Sequence, residues 1–312
     1  MAFEIVDSHH HLWSLSASNQ AKYKWLGPIE EGGIPSHPAG DVTKLKQSYI
    51  LDDYLADTTS TKFQLVKSVH VQAEADDAVE EVKYLEAVAN GNPGGFPHGI
   101  VAHANLASPK LAELLETYKR DYPRVKGVRQ LLNWSSTNPG ISMTDRGDYL
   151  TDPTWLEGFR LLTSLSLSFD LHVYPPQMAD AAQVVRKYPD SIVILDHCGL
   201  PVDGQKDFDG WKEGMKHMAE QSNVVCKLSG LVMFNHAWSK EIFAPYILEC
   251  VRLFTPKRCM FGSNFPVDRL NIGYGDLVNV YRDILENEGG LTAEELDLVF
   301  KQNAIKTYRL DD

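Results

Sequence analysis

Residues 66–105, VKSVHVQAEADDAVEEVKYLEAVANGNPGGFPHGIVAHAN, hold one strand–helix–strand unit. Val66–Gln72 and Gly99–Asn105 are short, nearly continuous apolar runs, the pattern of parallel strands covered on both faces. Between them, Ala78–Ala89 sets Val79, Val82, Leu85 and Val88 at helical spacing, with Glu80, Glu81 and Lys83 on the opposite side. Two strands joined through a helix imply a parallel pair and a right-handed crossover.

The same rhythm continues on either side. Glu4–Asp7, Val125–Leu131, Ser168–Val173, Ile192–His197, Val224–Ser229 and Cys259–Ser263 are further strand candidates. Ser108-Pro109 and Asp152-Pro153 each read as an N-cap followed by proline at the first helical position. Thr292-Ala-Glu-Glu295 reads as a capping box opening a last helix through Tyr308. About eight such units predict an α/β fold, a single-domain (β/α)8 TIM barrel rather than an open doubly wound sheet. No G-x-G-x-x-G follows a strand and no G-x-x-x-x-G-K-[ST] occurs, which speaks against a nucleotide-binding sheet.

Composition narrows the function classes. The 312 residues carry 30 Lys+Arg against 42 Asp+Glu, a net charge of −12. That balance argues against nucleic acid and against an anionic membrane surface as partners. No run approaches the ~18 apolar residues of a membrane span, and the first residues show no secretory pattern. Cys198, Cys226, Cys250 and Cys259 form no C-x-x-C pair, so reduced thiols in a cytoplasmic protein are expected. A homodimer is compatible with the sequence.

One segment interrupts the rhythm. Residues 14–48, after the first strand, lack helical periodicity and are rich in Gly and Pro, yet they hold Tyr23, Trp25 and Leu26. Long loops of this kind inside compact domains are usually functional or disordered, and aromatics favour the first. The segment is expected to be a lid over the barrel mouth, anchored by Trp25.

Barrel chemistry sits at the C-terminal ends of the strands, and those ends repeat one kind of residue. The first strand runs into DSHHHLW (7–13), where His9 and His11, two apart on extended chain, point to one side. Two imidazoles so placed suit a divalent metal, and Asp7 is expected to orient one ring. The second strand ends at Gln72 and Glu74, the fourth at Arg129, the fifth at His172 and Tyr174, the sixth at Asp196 and His197, the eighth at Asn264 and Asp268. His70, His98, His103, His217 and His236 are read as structural. Histidines at the same end of three separate strands point to one functional pocket.

Taken together, DSHHHLW, SVHVQAEAD (68–76), GVRQLLNW (127–134), HVYPPQM (172–178), ILDHCGLP (194–201) and MFGSNFPVD (260–268) resemble the amidohydrolase superfamily. Within it they resemble the amidohydrolase 2 branch of sugar-acid lactonases and 2-pyrone-4,6-dicarboxylate lactonase. The resemblance spans essentially the whole chain and implies a distorted (β/α)8 barrel that hydrolyses a lactone. It implies His9, His11 and His172 as ligands of a divalent metal, zinc by preference, and His197 as a metal ligand or as the group polarising the scissile carbonyl. Gln72, Arg129, Tyr174, Asn264 and Trp25 are then substrate-binding candidates for a small-molecule lactone.

The chain departs from the family where the eighth strand usually carries an aspartate, because Asn264 stands there. Asn has no basic carboxylate and offers a metal only a neutral oxygen. Either Asp268 or Glu74 supplies the base, or the metal is weakly held or absent, or the protein only binds. Decarboxylation of an aromatic or unsaturated acid on the same barrel, and non-catalytic sugar-acid binding, are the competing readings.

Overall fold

A computed structural model describes residues 3–28, 40–202, 207–234 and 238–311. His236 and residues 29–39 of the expected lid lie outside them. Eight parallel strands form one sheet in chain order: β1 (Phe3–His10), β2 (Phe63–Val71), β3 (Gly99–His103), β4 (Val125–Leu131), β5 (Ser168–His172), β6 (Val193–Leu195), β7 (Val224–Leu228) and β8 (Cys259–Phe261). The sheet curls until its edges meet. Ser8 Oγ donates to the Phe261 carbonyl at 2.6 Å, the Asn264 amide to the His9 carbonyl at 2.7 Å, and the His11 amide to the Phe265 carbonyl at 2.7 Å. This is the predicted (β/α)8 barrel.

The longer outer helices are α1 (Leu51–Asp57), α2 (Ala78–Gly91), α3 (Leu111–Asp121), α4 (Pro153–Ser164), α5 (Met178–Lys187), α6 (Phe208–Ala219), then, past the short α7 (Leu231–Phe234), α8 (Lys240–Phe254) and α9 (Tyr274–Asp283). The chain ends in α10 (Ala293–Asp297) and α11 (Asn303–Tyr308). Asp152 caps α4 through the Thr154 and Trp155 amides, and Thr292 and Glu295 close the expected capping box. Two boundaries differ from the sequence reading. Ser108 caps no helix, because α3 starts at Leu111 and the Ser108 hydroxyl accepts only the Lys110 amide. The last helix is broken by a wider π turn at Leu298–Gln302, which separates α10 from α11.

Side chains alternate in and out along each strand. Val6, Val69, Val71, Val101, Ile194 and Met260 form an apolar floor, with Tyr308 and Leu310 from the chain's end packed against it. The opposite faces join the larger core beneath the helices. Two residues further along, the inward positions turn charged: Asp170 on β5, Lys227 on β7 and Arg129 on β4, all buried. Another two residues bring His172 on β5 and Ser229 after β7. An apolar floor, a charged layer and an imidazole layer therefore rise toward the C-terminal mouth, where barrel sites form.

Candidate active site

A cavity of about 220 Å³ opens at that mouth, lined by His11, His172, His197, Arg129, Asn264, Tyr174 and Glu74 among others. Three imidazoles line it, and a fourth, His9, is buried against them. His9 and His197 have ring centres 4.5 Å apart, His9 and His11 5.0 Å, and His172 and His197 5.3 Å. Three of them are fixed through Nδ1. His11 Nδ1 lies 2.7 Å from the Val71 carbonyl, His172 Nδ1 2.8 Å from Asn133 Oδ1, and His197 Nδ1 2.9 Å from Ser229 Oγ. A carbonyl can only accept, so His11 carries its proton on Nδ1 and leaves a lone pair on Nε2. Burial holds all four rings neutral: His172 is pushed down to about 3, and His9, His11 and His197 fall well below the usual range.

Local backbone geometry places these groups. Glu74, His197, Cys198 and Asn264 take φ values of 55°, 54°, 50° and 56°, a left-handed region that non-glycine residues rarely occupy outside sites. The turn at His197 is why β6 ends at Leu195, short of the predicted strand end. Gly230 has φ +67°, and a Cβ there would stand 2.5 Å from His197 Nδ1, so only glycine lets the ring sit down.

Under the imidazoles the charged layer is closed on itself. Lys227 Nζ bonds Asp170 Oδ2, lies 3.1 Å from Asp196 Oδ1 and 3.2 Å from His9 Nδ1, and is fully buried. Tyr308 OH adds a 2.8 Å donation to Asp170, and Arg129 reaches Asp196 Oδ2 at 3.4 Å and the Gln72 carbonyl at 2.7 Å. Burial alone would raise Asp196, but the Lys227 ammonium beside it draws it well below the ordinary range.

The remaining sequence-chosen residues fall in different places. Glu74 lies exposed at the rim of the cavity, its carboxylate held by Gln72 Nε2 at 2.5 Å, while Gln72 itself sits behind the wall. Trp25 and Tyr174 line the cavity, with Trp25 Nε1 donating to the Ala73 carbonyl and Tyr174 OH to the Ile141 carbonyl. Asp268 is fully buried behind Asn264, whose Nδ2 donates to it at 2.8 Å, and burial pushes its carboxyl up to about 8. Asp7 does not orient a ring. It accepts from the Ser263 amide and hydroxyl, Tyr54 OH, Tyr274 OH and the His9 amide, and so clamps β1 to the end of β8. Lys227, Asp170 and Asp196 received no role from the sequence. The signal for the first two was a charged residue inside an apolar strand run.

The donor set fits a divalent cation. Nδ1-anchored imidazoles with free Nε2 atoms are the usual form of ligating histidine, and His9 Nε2 is buried without a hydrogen bond. Among the described residues His9, Asp196 and His197 form a group of three donors with ligating atoms within 4.8 Å of one another. The expected trio shares His9 with it. Its other two members, His11 and His172, line the cavity.

The site is thus a cluster of imidazoles at the strand ends of a parallel barrel, and the chain belongs to the amidohydrolase family: a sequence model of that family matches residues 6–310. It is 36% identical over 308 residues to protein y4mH of Sinorhizobium fredii, covering 98% of both chains. It is 26% identical over 322 residues to an L-fucono-1,5-lactonase of Burkholderia multivorans, covering 98% of this chain and 96% of that one. A crystal structure of an amidohydrolase from Burkholderia multivorans with bound zinc superposes with a TM-score of 0.78 at 23% identity, covering 98% and 99% of the two chains.

Proposed function

We propose that the cavity opens the ring of a lactone by attack of water on the ester carbonyl. The observation that carries this reading is the convergence of His11, His172 and His197, each fixed through Nδ1, on one cavity that also holds an arginine and a carboxylate. The lactonase relatives support it. Zinc, held by His9, His11 and His172 with Asp196 and His197 close by, would supply a water acidified toward neutral pH and a polarised carbonyl.

The chain's own groups then have distinct tasks. With the Ser229 hydroxyl donating to its Nδ1, His197 presents Nε2–H to the carbonyl oxygen as negative charge develops there. Glu74 receives the proton of the attacking water, since it lines the cavity and Gln72 orients it. Asp268 suits that task less: it keeps its proton at neutral pH and holds Asn264 in place. Arg129, tied to Asp196 and the Gln72 carbonyl, fixes the floor beneath the substrate. Ring Trp25 and ring Tyr174 form the walls.

A pH-indicator assay of the purified protein on L-fucono-1,5-lactone and other lactones tests this. Acid release that is lost on treatment with a chelator and restored by zinc is expected. Release of CO2 from aromatic acids without lactone opening would replace the reading with decarboxylation. Ligand-induced thermal stabilisation without any turnover would replace it with binding alone.

A further inference from the structure

The walls of the cavity say more about the substrate than its floor does. Trp13, Trp25, Leu131, Met143, Met233 and Val267 surround the imidazoles. The polar tips of the aromatic side chains are turned into the protein. Trp13 Nε1 donates to the Gln47 carbonyl at 2.7 Å, Trp25 Nε1 to the Ala73 carbonyl at 2.9 Å, and Tyr174 OH to the Ile141 carbonyl at 2.6 Å. Asn133 Oδ1 is taken by His172, and Asn264 bridges Asp268 and His11. Arg129 spends one N–H of each terminal nitrogen inside the protein, on Asp196 Oδ2 and on the Gln72 carbonyl. Among the described lining residues this leaves the Nε2 atoms of His172 and His197, the remaining Arg129 N–H groups, Asn133 Nδ2 and Glu74 for a ligand, while Trp13, Trp25, Leu131, Met143, Met233 and Val267 offer a substrate hydroxyl no free partner.

An aldonic-acid lactone carries a hydroxyl on almost every ring carbon, and a buried hydroxyl without a partner costs on the order of ten-fold in binding. Resting on the lactonase reading above, we propose that the substrate is a lactone with a hydrocarbon face, an alkyl or aryl substituent on a ring bearing few hydroxyls. The rings of Trp13 and Trp25, in edge contact at 5.8 Å between centres, and the flexible side chains of Met143 and Met233 form the surface that receives that face. Specificity then comes from the walls, and reactivity from the imidazoles.

The test compares kcat/KM of the metal-loaded enzyme on δ-decanolactone and dihydrocoumarin with that on D-glucono-1,5-lactone. A preference of about 100-fold or more for the first two is expected from several unpartnered hydroxyls. Met143→Gln, which adds a donor and an acceptor at similar length, should shrink the preference by about ten-fold, while Met143→Leu should preserve it. Equal or better turnover of the gluconolactone overturns the proposal. If no lactone is opened, the lactonase reading has failed, and the shift in Tm with each compound decides the wall's preference by itself. Stabilisation by δ-decanolactone but not by the gluconolactone supports it; the reverse overturns it.

Discussion

Two groups of buried imidazoles lie side by side in this barrel, and only one of them faces a cavity. His11 and His70 have ring centres 6.2 Å apart. His10 stacks on Tyr54 of α1 at 4.1 Å and bonds Ser68 Oγ, while His70 accepts the Leu12 amide and lies 3.8 Å from Glu81 of α2. Burial lowers the basicity of both groups, with His70 and His172 each pushed down to about 3. A depressed pKa therefore does not separate site from scaffold here. What separates them is the direction of the unanchored nitrogen: into an accessible cavity for His11, His172 and His197, into packed helices for His10 and His70.

The strongest way to break that distinction is to remove one ring from each group. His172→Ala should lower kcat/KM on the best lactone by about 10³-fold or more, with Tm within a few degrees of the parent. His70→Gln should leave kcat/KM within about ten-fold and lower Tm instead. Circular-dichroism melts beside initial rates would read both effects. Loss of rate in His70→Gln at unchanged Tm would move the site's edge to β2.

A second contrast lies along the barrel axis, between the wet mouth and the sealed charged layer. Lys227 is fully buried, and Asp170 and Asp196 rely on its charge. Lys227→Met would leave those carboxylates uncompensated and should cost about 3–5 kcal/mol in urea unfolding. A midpoint like the parent's would show that the layer carries no net pairing of this kind.

Much of this arrangement is legible in the sequence. Eight apolar runs alternating with amphipathic stretches leave little choice besides the barrel, and H-x-H on an extended end forces His9 and His11 to one side. The roles of Asp7, Gln72 and Asp268 were less readable. Each stands at a strand end like the true lining residues, but a strand end offers three destinations: the axis, the seam between strands and the space beneath a helix. Asp7 took the seam because Ser263, Tyr54 and Tyr274 bring four donors to it. Asp268 went behind Asn264 because the left-handed turn at Asn264 redirects the chain. The charged layer was visible only as anomalies, Asp170 in SFDLH and Lys227 in VVCKL, whose pairing depends on register between β5, β6 and β7.

Acid stability sharpens the first contrast further. His70 is held neutral in the fold at about 3, against about 6.5 in an unfolded chain. A depressed folded value means that the unfolded chain binds the proton first as pH falls. The stability tied to His70 is thus complete above about pH 6.5 and is lost on descending from there toward about 3. Urea midpoints near pH 7 and near pH 5 should show His70→Gln with a flatter profile than the parent, by about 1–2 kcal/mol over that interval. An unchanged slope would mean that His70 gains a proton without cost, most directly through Glu81, itself pushed up to about 7 by burial.

The smallest effect concerns the loop after β1. Its two ends are pinned together, since the Trp13 and Tyr49 amides each donate to the other residue's carbonyl at 2.9 Å. Residues 21 and 22 accept the Asp77 and Asp76 amides, which lays the described part of the loop along the turn after β2. Trp25 is the point where that packing reaches the cavity. Trp25→Phe keeps a ring against Trp13 but removes the Nε1 donation to the Ala73 carbonyl, a half-buried bond worth about 1 kcal/mol. If Trp25 serves only as wall, it contacts bound substrate and transition state alike. KM should then rise a few-fold with kcat unchanged, the pattern of uniform binding. A matching fall in kcat would instead show that the Ala73–Glu74 turn is held in its working position by the indole, and that the loop takes part in placing the base.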